Sequence, residues 1–155
     1  MAKILWDFAG IEALTVAQTL FGESVGELAA FQSLETSLEG KDCSVLRLCD
    51  RNFRILYLDD VRPVISSLNC NVFVRQYTWL ASFSIPADRL EALTINATVR
   101  APHRLANLPN HQAVPAQLED MSMLVWQHSS SQTPTIDIHT AHSYENRLKA
   151  EINGL

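Results

Sequence analysis

Residues 137–142 read DIHTAH, and they hold the strongest chemical candidates in the chain. Asp137 and His139 are two apart. On a strand they project from one face, about 7 Å apart at the backbone. That is close enough for a carboxylate to orient an imidazole as a base. With His142 they could also offer a divalent metal two imidazoles and a carboxylate. If residues 129–134 form the loop of a hairpin, Trp126 falls opposite Asp137, Leu124 opposite His139 and His128 opposite Thr135. One sheet face then carries Trp126, His128, Asp137 and His139. Any solvated sheet face can show D-x-H without a site, and His142 falls near a helix start, so no metal site is assigned.

A second candidate is the carboxylate pair Asp59 and Asp60. After it Val61, Val64, Ile65 and Leu68 are spaced i, i+3, i+4, i+7, one stripe of a short helix. Pro63 lies in the first turn, where its missing N–H costs nothing. Asp60 is therefore expected to cap the helix and Asp59 to face the positive end of its dipole. This is scaffolding rather than catalysis, because adjacent side chains seldom point into one site. The remaining motifs are negative. The chain has no G-x-G-x-x-G, P-loop, G-x-S-x-G or H-E-x-x-H, and no cofactor is implied. Cys43, Cys49 and Cys70 form no C-x-x-C and read as buried reduced thiols. The aromatic series Phe73, Tyr77, Trp79 and Phe83 could be a stacking platform, but beside Ala81 and Ile85 it reads as core.

The elements that must position these groups follow from periodicity. Residues 7–22 carry Ile11, Leu14, Ala17 and Phe21 at helical spacing before Gly22, with a short strand over residues 3–8 as the alternative. Ser24 and Glu27 form a capping box for a second helix, about 25–38. Residues 45–58 form a hairpin whose turn is 50–53, which sets Leu48 opposite Ile55 and Leu46 opposite Tyr57. Residues 71–85 alternate as one long, bulged strand. A helical turn at 86–93 and an alternating strand at 93–101 come next. Residues 101–118 contain three prolines and break every pattern, the mark of an irregular arm or loop. A last hairpin and a C-terminal helix close the chain. Ser143 caps that helix, whose stripe is Tyr144, Leu148, Ile152 and Leu155.

The expected fold is α+β in a single domain over residues 1–155. A mainly antiparallel sheet of five to six strands carries two N-terminal helices and one C-terminal helix. Charge is uneven along it. Residues 1–42 hold seven acids against Lys3 and Lys41, for −5. Residues 43–104 hold eight arginines against five acids, for +3. Residues 105–155 hold five acids against Arg147 and Lys149, for −3. The acidic total of −5 disfavours nucleic acid. Without a long apolar run no membrane partner is expected, and the N-terminus lacks a secretory pattern, so the expected location is cytoplasmic. The functional expectation is a non-enzymatic binding or accessory protein, acting through protein–protein contacts as a homodimer. The alternative is a protein or small enzyme for a small apolar ligand. Its pocket would lie between curved sheet and helices, lined by Trp126, Asp137, His139 and Tyr77.

Overall fold

The computed structural model describes residues 3–130 and 133–155. The fold is α+β with antiparallel sheets, as the alternating segments require. There are two sheets of five and four strands rather than one of five to six. The chain divides into two compact units, the first ending at Tyr77 and the second spanning Thr78–Leu155.

The first unit runs β1 (Ile4–Ala9), α1 (Ala13–Phe21), a 3₁₀ turn (Glu23–Glu27), β2 (Ser33–Leu38), β3 (Lys41–Cys49), β4 (Asn52–Tyr57), α2 (Arg62–Ser66) and β5 (Phe73–Gln76). Its strand order is β2-β3-β4-β1-β5. Trp6 and Phe8 of β1, Val45 of β3 and Phe53, Ile55 and Tyr57 of β4 share one face. Ala13, Val16, Ala17 and Phe21 of α1 complete the core there. The expected helix over 7–22 is thus two elements, the strand alternative followed by α1. Gly10 makes the join. Its φ is +133°, and a Cβ there would lie 3.2 Å from the Asn71 carbonyl oxygen.

The second expected helix, 25–38, is not formed. The Ser24–Glu27 capping box is not made: both residues lie inside the 3₁₀ turn, whose N-cap is Gly22 without a side-chain cap, and 33–38 pairs with β3, Leu34 opposite Val45. A capping box stabilises a first turn, but only a continuing apolar stripe packed on a core extends it. The hairpin register also differs from expectation. The turn is tighter, so Val45 lies opposite Ile55 and Leu46 opposite Arg54, with a bulge between Arg47 and Cys49. Asp60 does act at the start of α2, but one residue displaced. Its Oδ1 accepts the Arg62 N–H at 2.9 Å and its carboxylate pairs with the Arg62 guanidinium, while Asp59 pairs with Lys41 at 2.7 Å. Burial pushes the Cys43 thiol up to about 12, which makes it an inert apolar group at neutral pH.

Arg47 is the polar centre of this unit. Its guanidinium is buried and donates to the carbonyls of Gly26, Leu28, Cys49 and Asp50 at 2.9–3.3 Å, and it lies over the Phe53 ring at 5.6 Å. One side chain therefore ties the chain after the 3₁₀ turn to the β3–β4 turn.

The second unit runs β6 (Leu80–Ile85), α3 (Ala87–Asn96), β7 (Gln112–Leu118), β8 (Met121–Ser130), β9 (Thr133–Ala141), a 3₁₀ turn (His142–Tyr144) and α4 (Glu145–Asn153). Its strand order is β6-β9-β8-β7. Val125, Ile136 and Ile138 of the sheet pack with Leu93 of α3 and Leu148 and Ile152 of α4. The single strand expected over 71–85 is instead β5 in one sheet and β6 in the other. Phe73 and Trp79, expected in the core, are 54 % and 42 % exposed. The strand expected at 93–101 is not formed: 93–96 is the end of α3 and the rest is irregular. The Ala97 N–H donates to the Leu93 carbonyl at 2.8 Å, and Ile95, the next apolar residue of the alternating pattern, is 78 % exposed. Only Thr98 bridges a strand, at Gln117. The arm of 101–118 is irregular as far as His111, after which 112–118 is β7, with Pro115 on the sheet edge. The C-terminal helix begins at Glu145 after the 3₁₀ turn and without a side-chain cap from Ser143.

Replacing Arg47 by Ala should leave four part-buried carbonyls without this donor and open a space where the guanidinium was buried. The expected cost is about 3 kcal/mol, or a fall in Tm of about 10 °C, read by thermal denaturation. Arg47→Lys should recover less than half of it, because an ammonium cannot span the four acceptors. A Tm unchanged by Arg47→Ala would remove this role.

Candidate functional site

The site is built on β8 and β9, and its register matches the sequence expectation residue for residue. Trp126 lies opposite Asp137, Leu124 opposite His139 and His128 opposite Thr135. Pairing continues through Ser129–Pro134 to Ser130–Thr133, so these residues, expected in the loop, belong to the strands; Ser131 and Gln132 lie outside the described residues. On the other side of β9, β6 sets Ser84 opposite Asp137 and Ser82 opposite His139. The face thus gathers Ser84, Asp137, Trp126 and, on the diagonal, His128.

The contacts are close. His128 Nε2 is 2.6 Å from Asp137 Oδ2, and the Ser84 hydroxyl donates to Asp137 Oδ1 at 2.7 Å. An ionised carboxylate only accepts, so the His128 proton sits on Nε2. The Trp126 ring stacks on His128 at 4.0 Å and meets His139 edge-on at 5.8 Å. Trp126, His128, Asp137 and His139 are all buried. Burial by itself pushes the Asp137 carboxyl up. The hydrogen bonds from His128 and Ser84 and the adjacent imidazoles of His128 and His139 outweigh it, and the carboxyl is held below its ordinary value.

The order of groups decides what the cluster can do. A nucleophile needs its base within hydrogen-bond reach. Here Ser84 and His128 both point at Asp137, one on each oxygen, so the carboxylate stands between them. The arrangement holds a charge inside a sheet and orients an imidazole. His142 lies at the start of the final 3₁₀ turn, where its backbone N–H donates to the Trp79 carbonyl at 2.8 Å. Among the described residues no group of three or more His, Cys, Asp or Glu is placed to hold a metal ion.

Tyr77 belongs to the first unit and is described with it. Burial pushes its phenol up. The Arg54 guanidinium, which opposes that rise, lies 4.7 Å over its ring. Asp7 sits between Arg54 on β4 and Arg75 on β5, with Arg75 Nε at 3.4 Å from its carboxylate. Sequence reasoning missed this row. Its one signal was an acid between the apolar Trp6 and Phe8. Two clefts were also not foreseen. One, of about 370 Å³, is lined by Arg62, Ile65, Cys70 and Val74. Another, of about 380 Å³, lies between α3 and residues 105–108, lined by Leu90, Glu91, Thr94, Leu105, Asn107 and Leu108.

The geometry defines an α+β protein of antiparallel sheets. No protein-family model matches the chain, and no curated protein matches it. Among solved structures, its fold resembles the crystal structure of glycine cleavage system aminomethyltransferase T from Bartonella henselae. The TM-score is 0.71 at 13% sequence identity, over 98% of this chain and 43% of that one. The likeness is one of fold, and the chain spans less than half the length of that structure. No helix of the described residues is long and apolar enough to cross a membrane.

Two outcomes test the cluster. His128→Ala strips a buried carboxylate of its partner and should cost about 3 kcal/mol, lowering Tm by about 10 °C. The Asp137 carboxyl is held below its ordinary 3.8 in the folded state. Its contribution is therefore complete above that value and lost as pH falls through the folded value. Urea unfolding of the wild type should weaken below roughly pH 4 more steeply than that of Asp137→Asn. Equal slopes would show that the carboxylate contributes nothing.

Proposed function

We propose that the protein is a non-enzymatic binding or accessory protein that acts through protein–protein contacts as a homodimer. The observation that carries this reading is the exposure of two large aromatic side chains, Phe73 in the first unit and Trp79 in the second, at 54 % and 42 %. Interface centres are enriched in aromatic residues, and such groups anchor most of the binding energy when they are covered. The buried polar cluster supports the same reading from the other side, since Asp137 spends both oxygens on Ser84 and His128. Its imidazole and hydroxyl serve the fold. The cytosol is the fitting compartment, because the cysteines are free and Cys49 is exposed.

A second reading is a protein for a small apolar ligand. The cleft between α3 and residues 105–108 favours it. Leu90, Leu105 and Leu108 supply apolar wall, and Glu91, Thr94 and Asn107 supply a few polar groups.

Light scattering of the full chain should give a concentration-dependent dimer. The double variant Phe73→Ser, Trp79→Ser should raise its Kd at least about tenfold while the circular dichroism spectrum stays unchanged. Thermal-shift screening with a panel of small apolar compounds should show no saturable stabilisation. A monomer at every concentration, stabilised by one of those compounds, would replace the first reading by the second.

A further inference from the structure

The dimer reading can be made specific to one strand edge, and this inference rests on that reading. The two sheets have four edge strands: β2, β5, β6 and β7. Natural sheets protect edges with charge, proline or a covering segment. Three of the four edges are protected in that way. β7 carries Pro115, and Thr98 exchanges both backbone hydrogen bonds with Gln117, at 2.8 and 2.9 Å. β2 carries Glu35, and the short β5 carries Arg75. β6, LASFSI, has no charge, no proline, no glycine and no register shift. Ser82 and Ser84 on it are exposed.

The backbone tells which groups of β6 face outward. The His142 N–H donates to the Trp79 carbonyl, so Trp79 and His142 form a hydrogen-bonded pair. Pairs alternate along an antiparallel ladder. Ala81, Phe83 and Ile85 therefore bond to β9, and the N–H and C=O groups of Leu80, Ser82 and Ser84 point to the open edge. The side chains are symmetric about Phe83, with a serine on each side and then Ala81 and Ile85.

We propose that β6 pairs antiparallel with β6 of a second copy of this chain, with the two-fold axis at Phe83. The register follows. Ser82 meets Ser84 of the other copy, twice, as hydrogen-bonded pairs, which gives four backbone hydrogen bonds. Phe83 meets Phe83 as a non-hydrogen-bonded pair, where side chains come closest. Ala81 meets Ile85, so apolar residues adjoin on one face and serines on the other. Any register shifted by one residue sets serine against Phe83 and joins unlike faces. A cleft of about 140 Å³ lined by Phe83, Ile85, Pro86, Lys149 and Ile152 opens beside this edge and suits the incoming ring. Lys149 lies 5.3 Å over the Phe83 ring and is paired with Glu145 at 3.6 Å. Each copy thus brings a matched acid and base beside the edge.

The test uses the full chain by analytical ultracentrifugation. Ser82→Pro deletes an outward N–H on each copy and leaves the β9 side intact, a place where an edge strand tolerates proline. It should raise the dimer Kd about thirtyfold, the loss of two hydrogen bonds, with circular dichroism unchanged. Phe83→Cys in a Cys49→Ser background sets two thiols across the axis at a Cα separation of about 4.5 Å, within disulfide range. Mild oxidation should give a covalent dimer on non-reducing electrophoresis. If Ser82→Pro does not fold, the cross-link decides. A wild-type dimer that keeps its Kd in Ser82→Pro and gives no cross-link overturns this edge while the homodimer reading stands. A wild-type monomer up to about 1 mM overturns both.

Discussion

The contact between His128 and Asp137 is the constraint on which the second unit depends. A carboxylate moved out of water is costly unless it is paired and its remaining lone pairs are filled. Asp137 meets that condition through an imidazole N–H on one oxygen and the Ser84 hydroxyl on the other. Three strands must therefore be in one register, because the donors come from β8 and β6 and the acceptor from β9. The same register turns Val125 and Ile138 toward α3 and α4. A slip of one residue would expose that apolar row and strand the carboxylate, so the polar and apolar requirements select the same alignment.

The first unit solves a similar problem with the opposite charge. Arg47 is buried among four carbonyls and the Phe53 ring, with the exposed Asp50 carboxylate at 3.9 Å. Gly26 and Leu28 lie in and just after the 3₁₀ turn, and Cys49 and Asp50 at the end of β3 and in the turn that follows, where the backbone leaves carbonyls for a side chain to take. In both units a residue type that suggests chemistry is consumed in holding the backbone. The aromatic rings of Phe73 and Trp79 stay partly exposed, Phe73 under the Arg75 guanidinium, and β6 is an edge strand without charge.

Legibility in the sequence followed the range of the interaction responsible. The hairpin over 121–141 was readable in register because its strands are neighbours in the chain and alternate strictly, so face and partner are both local properties. The stripe of α4, with Leu148 and Ile152 buried, was readable for the same reason at helical period. The Asp59–Asp60 pair was readable as scaffolding from the apolar stripe after it. By contrast, the bulge at Arg47–Cys49 shifted the first hairpin, because a two-for-one pairing leaves no mark in alternation.

The sequence by itself determined the α+β class, the antiparallel pairing and the face on which Trp126, His128, Asp137 and His139 converge. Only the tertiary structure decided that 33–38 pairs with β3, that 71–85 divides between two sheets, and that residues 93–96 belong to a helix. The reason is physical. Periodicity records which residues a segment can bury together, whereas the identity of the sheet, and whether a turn grows into a helix or gives way to a strand, depends on partners distant in the chain.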